Sequence, residues 1–254
     1  MKFRLFKKTK LSEHSNDKPR LADDVLSDMQ EKEFWDIYNF CKPFTMTSVE
    51  RMYSLYKSVL YVLDKNIEGD FIECGVWRGG SSMLIAKILS LRNIKNRRLF
   101  LFDTFEGMSD PTTLDVDFYG KTAEQLLVST DKEDPSSIWC YSDFDEVKSN
   151  MNKTGLTLDE QIFMIKGMVE ETIPEKLSTQ KIALLRLDTD FYESTKHELK
   201  YLYPLLNNNG VIIIDDYGHW QGCRKAVDEY FDEKKINILL NRIDNTGRIG
   251  VKTT

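Results

Sequence analysis

Four aspartates fall in two short stretches, "RLDTDFYEST" with Asp188 and Asp190 and "IIIDDYG" with Asp215 and Asp216, each directly after an apolar run. A short apolar run closed by acids reads as a buried strand whose end presents carboxylates. Neighbouring strand ends in one sheet lie about 5 Å apart. Carboxylates gathered at that spacing repel one another and resist ionisation unless a cation offsets them. A divalent ion would do so, and oxygen ligands without a His or Cys partner favour Mg²⁺ over zinc. Such an ion can hold two adjacent hydroxyls of a substrate and lower the pKa of one. Asp188, Asp215 and Asp216 are therefore the candidate metal ligands. Asp190 and His219, in the loop after "DDYG", are the candidate proton acceptors, with Tyr192 and Lys196 more remote. Capping of the next helix by an acid such as Asp190 is the plainer alternative, but it accounts for one acid and not for the group.

A second stretch, "FIECGVWRGGSS" at 71–82, places a glycine loop directly after a strand. A phosphate-binding P-loop would need a lysine where Ser81 stands. A dinucleotide loop would need glycine where Trp77 stands, so that the backbone could approach a pyrophosphate. The remaining reading is an acid-x-Gly-x-x-x-Gly loop, Glu73, Gly75 and Gly79, cradling S-adenosylmethionine, with no phosphate to approach and an acid near its cationic end. Asp103 closes the next strand, "RRLFLFD", and is placed to bond the ribose hydroxyls. A tight strand–helix turn with two solvated acids is the plainer alternative. "YSLYK" at 53–57 and "YESTK" at 192–196 match a dehydrogenase Tyr-x-x-x-Lys, but neither has the glycine pattern around it.

The elements that must position these groups alternate. Strands are expected at 71–74, up to Asp103, over "QIFMIKG", up to Asp188 and up to Asp215–Asp216, where "VIII" at 211–214 is the most aliphatic stretch. Helices are expected at about 80–92, 143–153, 192–203 and 221–233. Two closing strands, 236–242 and 248–252, flank the turn "DNTG". Near-continuous apolar strands between helices imply an α/β fold, a Rossmann-like mostly parallel sheet with helices on both faces and a C-terminal antiparallel hairpin. Ahead of it, 1–41 reads as a polar tail and a helical segment whose spacing begins near Val25. A helix follows Thr47 or Ser48, with Met52, Leu55, Tyr56 and Val59 on its apolar face. Residues 42–254 form the main domain, and 104–142 is too long for a simple connection, so it reads as a lid-like insert, with disorder as the alternative.

Composition narrows the classes further. A net charge of −6 argues against a broad basic surface for nucleic acid. No apolar run approaches the roughly 18–20 residues that span a membrane, and the basic N-terminus lacks the apolar core of a secretory signal. Cys41, Cys74, Cys140 and Cys223 are widely spaced, which fits reduced thiols in a cytoplasmic protein. His14 and His197 read as surface residues.

The stretches "IEGDFIECGVWRGGSSMLIAKIL", "LFDTFEGM", "LLRLDTDFYESTKHELKYLYPLLNNNGVIIIDDYGHWQGCRKAVDEYF" and "IDNTGRIG" resemble the macrocin O-methyltransferase (TylF/MycF-like) family, and the resemblance runs from about Lys42 to Lys252. The resemblance implies Mg²⁺-assisted methyl transfer from S-adenosylmethionine to a hydroxyl of a sugar or glycosylated metabolite. It implies that Glu73, Gly75 and Gly79, with the loop residues Val76, Trp77 and Ser81, line the cofactor and that Asp103 holds its ribose. It implies Asp188, Asp215 and Asp216 as metal ligands, Asp188 or Asp190 as general base, and a homo-oligomer in contact through the N-terminal helices. Thr189 stands where the family usually has glycine, and 107–142 matches poorly, so the acceptor stays open. Transfer to a catechol-like phenol and a non-catalytic cofactor-binding homologue are the rival expectations.

Overall fold

The computed structural model describes residues 26, 28–134 and 136–253. The expected N-terminal tail with His14, and Val25, where helical spacing was expected to begin, lie outside them. Glu33–Thr254 make up one compact unit.

Seven strands form one sheet in the order β3-β2-β1-β4-β5-β7-β6. They are β1 (Asp70–Cys74), β2 (Leu99–Asp103), β3 (Ile162–Lys166), β4 (Ile182–Leu187), β5 (Leu206–Ile214), β6 (Asn241–Arg242) and β7 (Arg248–Val251). The first five are parallel; β7 runs antiparallel to β5, and β6 antiparallel to β7. β1 and β4 are buried along their whole length, as strands covered on both faces must be. Chain order reverses between β1 and β4, and an open α/β sheet forms its ligand crevice at such a switch point.

Among the described residues the α-helices are α1 (Lys32–Cys41), α2 (Val49–Asp64), α3 (Gly80–Leu91), α4 (Ala123–Ser129), α5 (Phe144–Asn152), α6 (Val169–Thr172), α7 (Tyr192–Leu202) and α8 (Gln221–Lys234). Ser48 caps α2 by accepting from the Arg51 amide at 3.2 Å, and Met52, Leu55, Tyr56 and Val59 are buried as the spacing predicts. Phe34 of α1 packs on Tyr53 and Tyr56 with ring centroids 5.0 and 5.4 Å apart.

One expectation changes. The strand expected over 236–242 pairs only at Asn241–Arg242; Ile238 and Leu240 instead close over Gly250, where an added Cβ would meet both at 3.0 Å. The 104–142 insert is ordered along its described residues. It carries α4, with a capping box between Thr122 and Gln125, and it bridges Asp117 to Trp220. The fully buried Asp115 fastens it to the domain by accepting from the Tyr192 amide at 2.8 Å.

Candidate active site

Sheet register aligns the chemistry. Cys74 pairs with Leu187, and Leu187 with Ile214, so the next residues, Gly75, Asp188 and Asp215, stand in a row. Gly75 has φ +80°, and a Cβ there would overlap the Asp188 carbonyl oxygen, so no other residue fits. Above the row lies a cavity of about 540 Å³. Its walls come from the segment after α1, the β1–α3 loop, the ends of β2 and β3, the insert, and the loops after β4 and β5. Trp77, Cys140 and Asp190 line it and hold left-handed backbone, at φ 47°, 45° and 68°. Such strain in non-glycine residues concentrates at functional sites.

On the floor, Asp188, Asp215 and Asp216 each bring one carboxylate oxygen within 4.8 Å of the others. Two guanidiniums hold the group from below and from the side. Arg186 Nη2 lies 2.7 Å from Asp188 and 2.9 Å from Asp215, while its Nη1 pairs with Glu73. Arg51, from α2, pairs with Asp215 through Nη1 and with Asp244 through Nε at 2.8 Å. Asp244 also accepts from Ser48 Oγ and from the Thr246 and Gly247 amides. The "IDNTG" turn is thereby the anchor for Arg51. With Asp190 and Asp216 added, carboxylates outnumber guanidiniums. Burial, together with repulsion among the acids, raises the pKa values of Asp188 and Asp216 well above the carboxylate range, against the pull of Arg186 on Asp188. Burial pushes Asp190 up to about 7, and Asp188 and Asp215 add to the rise. The buried Asp216 Oδ2 has no hydrogen-bond partner. An all-oxygen set with an orphaned buried oxygen fits a hard divalent cation.

Asp190 does not cap the next helix. The N-cap position of α7 is Phe191, without a side-chain cap, and the Tyr192 amide is taken by Asp115. Between the two aspartates, Thr189 donates to the buried Glu198 at 2.9 Å and steadies the loop. His219 lines the cavity, stacked edge-on to Trp220 and Phe118 at 4.9 and 5.2 Å. Burial lowers its pKa, which favours the neutral ring.

From the β1–α3 loop and the start of α3, Gly75, Val76, Trp77 and Ser81 reach the cavity, as does Asp103 at the end of β2. Asp103 accepts from the Val76, Trp77 and Phe105 amides at 2.6, 3.1 and 2.7 Å, so it clamps two loops together. Glu73 and Gly79 do not line the cavity, contrary to expectation. Glu73 stands opposite Arg186 in the β1–β4 register and is fully buried, bonded to Arg186 and Ser82. Gly79 is the N-cap of α3, with φ +93°, and faces Met151 and Val147. Outside the cavity, Lys196 donates to Tyr192 Oη, which donates to Glu229, and His197 bonds the Ile173 carbonyl.

Sequence reasoning missed Arg51 and Arg186. A lone arginine within "IALLRLD", opposite a lone glutamate within "DFIEC", was a readable signal of a buried pair. Nothing in the amphipathic pattern of α2 sets Arg51 apart.

The profile of the Macrocin-O-methyltransferase (TylF) family matches residues 4–250. The chain belongs to the macrocin O-methyltransferase family. Among its curated relatives is the 8-demethyl-8-(2,3-dimethoxy-alpha-L-rhamnosyl)-tetracenomycin-C 4'-O-methyltransferase of Streptomyces olivaceus, 34% identical over 80% of this chain and 73% of the relative. Demethyldecarbamoylnovobiocin O-methyltransferase of Streptomyces niveus is 34% identical over the same shares. The solved O-methyltransferase NovP superposes with a TM-score of 0.71 at 31% identity, covering 83% of each chain. Membership in this O-methyltransferase family agrees with the parallel sheet, its antiparallel end and the crevice at its switch point.

Proposed function

We propose that this macrocin O-methyltransferase family member transfers the methyl group of S-adenosylmethionine to a hydroxyl of a sugar on a glycosylated acceptor, with Mg²⁺ at the carboxylate floor. The observation that carries the reading is the convergence of Asp188, Asp215 and Asp216 beside the Gly75 loop; the sugar-directed names of the relatives support the acceptor class. In this reading Gly75, Val76, Trp77, Ser81 and Asp103 hold the donor, while Glu73 and Gly79 shape its loop from behind. Asp188, Asp215 and Asp216 hold the metal. The metal would supply Lewis acidity that favours the alkoxide form of a bound hydroxyl.

The residues do the rest. Arg186 keeps Asp188 and Asp215 at fixed separation, so the acceptor meets a preformed site and loses less on orientation. Asp190 lines the cavity without a capping duty and takes the hydroxyl proton on its carboxylate. His219, also on the wall, is the second candidate for that proton. The insert and the Phe44–Thr47 segment enclose the reacting atoms and limit water. Self-association through the N-terminal helices belongs to the same proposal, and light scattering of the purified chain tests it.

Methyl transfer from isotopically labelled S-adenosylmethionine to a panel of sugar glycosides and catechols tests the reaction. Transfer to a glycoside, lost in chelator and in Asp188→Ala or Asp216→Ala while S-adenosylhomocysteine still binds, is expected. Transfer to catechols alone, or full activity of Asp216→Ala in chelator, would contradict it.

A further inference from the structure

The insert carries a feature that methyl transfer itself does not use. Val116 and Asp117 make isolated bridges to Thr122 and Trp220, and a turn follows in which the Gly120 amide donates to the Asp117 carbonyl at 3.1 Å. Asp117 and Tyr119 face the main cavity; Leu114, Val116 and Phe118 face a second cleft of about 660 Å³ on the other side. His219 and Trp220 line both spaces. At their shared rim, Phe118 and Tyr119 lie with ring centroids 3.9 Å apart, yet they are 53% and 78% exposed. The cations of the second cleft are already engaged. Arg224 donates to the Tyr217 carbonyl at 3.2 Å and lies over the Tyr217 ring, and Lys225 pairs with Glu229. Its acid, Asp228, accepts from Tyr217 Oη at 2.7 Å.

We propose that this cleft is a second acceptor subsite, in which the Phe118–Tyr119–His219 rim stacks against an uncharged ring attached to the sugar being methylated. The proposal rests on the glycoside reading of the main cavity. Aromatic faces bind apolar ring surfaces without requiring charge. A diphosphate, in contrast, would meet a lysine already ion-paired, an arginine whose Nε is held by a backbone carbonyl, and an acidic cavity next door. The subsite thus selects a neutral glycoside with a ring beyond the sugar over a nucleoside diphosphate sugar.

The test measures binding to the full chain saturated with S-adenosylhomocysteine, so it does not depend on turnover. The p-nitrophenyl and methyl glycosides of L-rhamnose, D-glucose and D-galactose, and dTDP-L-rhamnose, are compared by calorimetry. For the best-bound sugar, the p-nitrophenyl glycoside should bind more tightly than the methyl glycoside and more tightly than the nucleotide sugar. Phe118→Ala should remove about fivefold of that advantage, and Phe118→Tyr should restore it, with methyl-glycoside binding unchanged. Equal binding of aryl and methyl glycosides, tighter binding of dTDP-L-rhamnose, or a Phe118→Ala variant that keeps the aryl advantage would overturn the subsite. Intact aryl binding without any methyl transfer would instead overturn the reaction.

Discussion

Asp215 has two cationic neighbours of its own, Arg186 and Arg51, and they differ in what they permit. Arg186 is buried and shared among Glu73, Asp188 and Asp215, so it sets geometry. Arg51 reaches in from α2 and is more open, at 18% side-chain exposure. Removing one partner of a buried ion pair leaves a charge uncompensated and costs about 3 kcal/mol or more. Arg51→Met should therefore lower the thermal midpoint in chelator. Added Mg²⁺ should raise the midpoint of the variant by more than that of the wild type, because it replaces the lost cation. Equal Mg²⁺ shifts in the two proteins would show that Asp215 does not face the metal. Glu73→Ala takes one of three carboxylates from the buried Arg186 and the acceptor from Ser82, and should destabilise by about 1–3 kcal/mol, measured by denaturant unfolding. A donor-contact role for Glu73 would instead weaken S-adenosylhomocysteine binding without loss of stability.

At the scale of elements, the cavity is closed by segments that dock through single fitted positions. Gly80 begins α3 under the Phe44 carbonyl, and a Cβ there would lie 2.6 Å from the Thr45 side chain. Gly80→Val should lift the 44–47 segment, weaken donor binding and speed proteolysis near Thr45. Unchanged cleavage would place that segment's order elsewhere. The insert depends on Asp115, whose carboxylate meets the Tyr192 amide, the Thr112 amide and the Thr112 hydroxyl. Losing these bonds in Asp115→Ala strands a buried amide, worth about 1–3 kcal/mol. The expected outcome is faster hydrogen exchange confined to 108–123 and a raised acceptor KM, with S-adenosylhomocysteine affinity retained. Exchange that rises across the whole domain would mean that Asp115 supports the fold rather than the insert.

Over the whole molecule, the parallel core was legible because its strands are unbroken apolar runs ending in acids, and the register then aligns those acids without further instruction. Asp188, Asp215 and Asp216 could be grouped on that basis alone. The side to which a strand residue points was harder to read. Glu73 looked like part of the loop, but its partner Arg186 lies more than a hundred residues away, and the pair exists only through β1–β4 register. The insert carried no strong period because tertiary fastenings such as Asp115 and the Asp117–Trp220 bridge order it. The strand 236–242 failed for a related reason: its apolar residues cover Gly250 instead of pairing. The central claim is that the three carboxylates hold a divalent cation beside the donor loop. Anomalous scattering from crystals of the S-adenosylhomocysteine complex soaked with Mn²⁺ tests it most directly. A single strong peak within coordination distance of Asp188, Asp215 and Asp216 is predicted. A map without that peak at saturating Mn²⁺, with Arg186 and Arg51 as the sole cations on those acids, would contradict it.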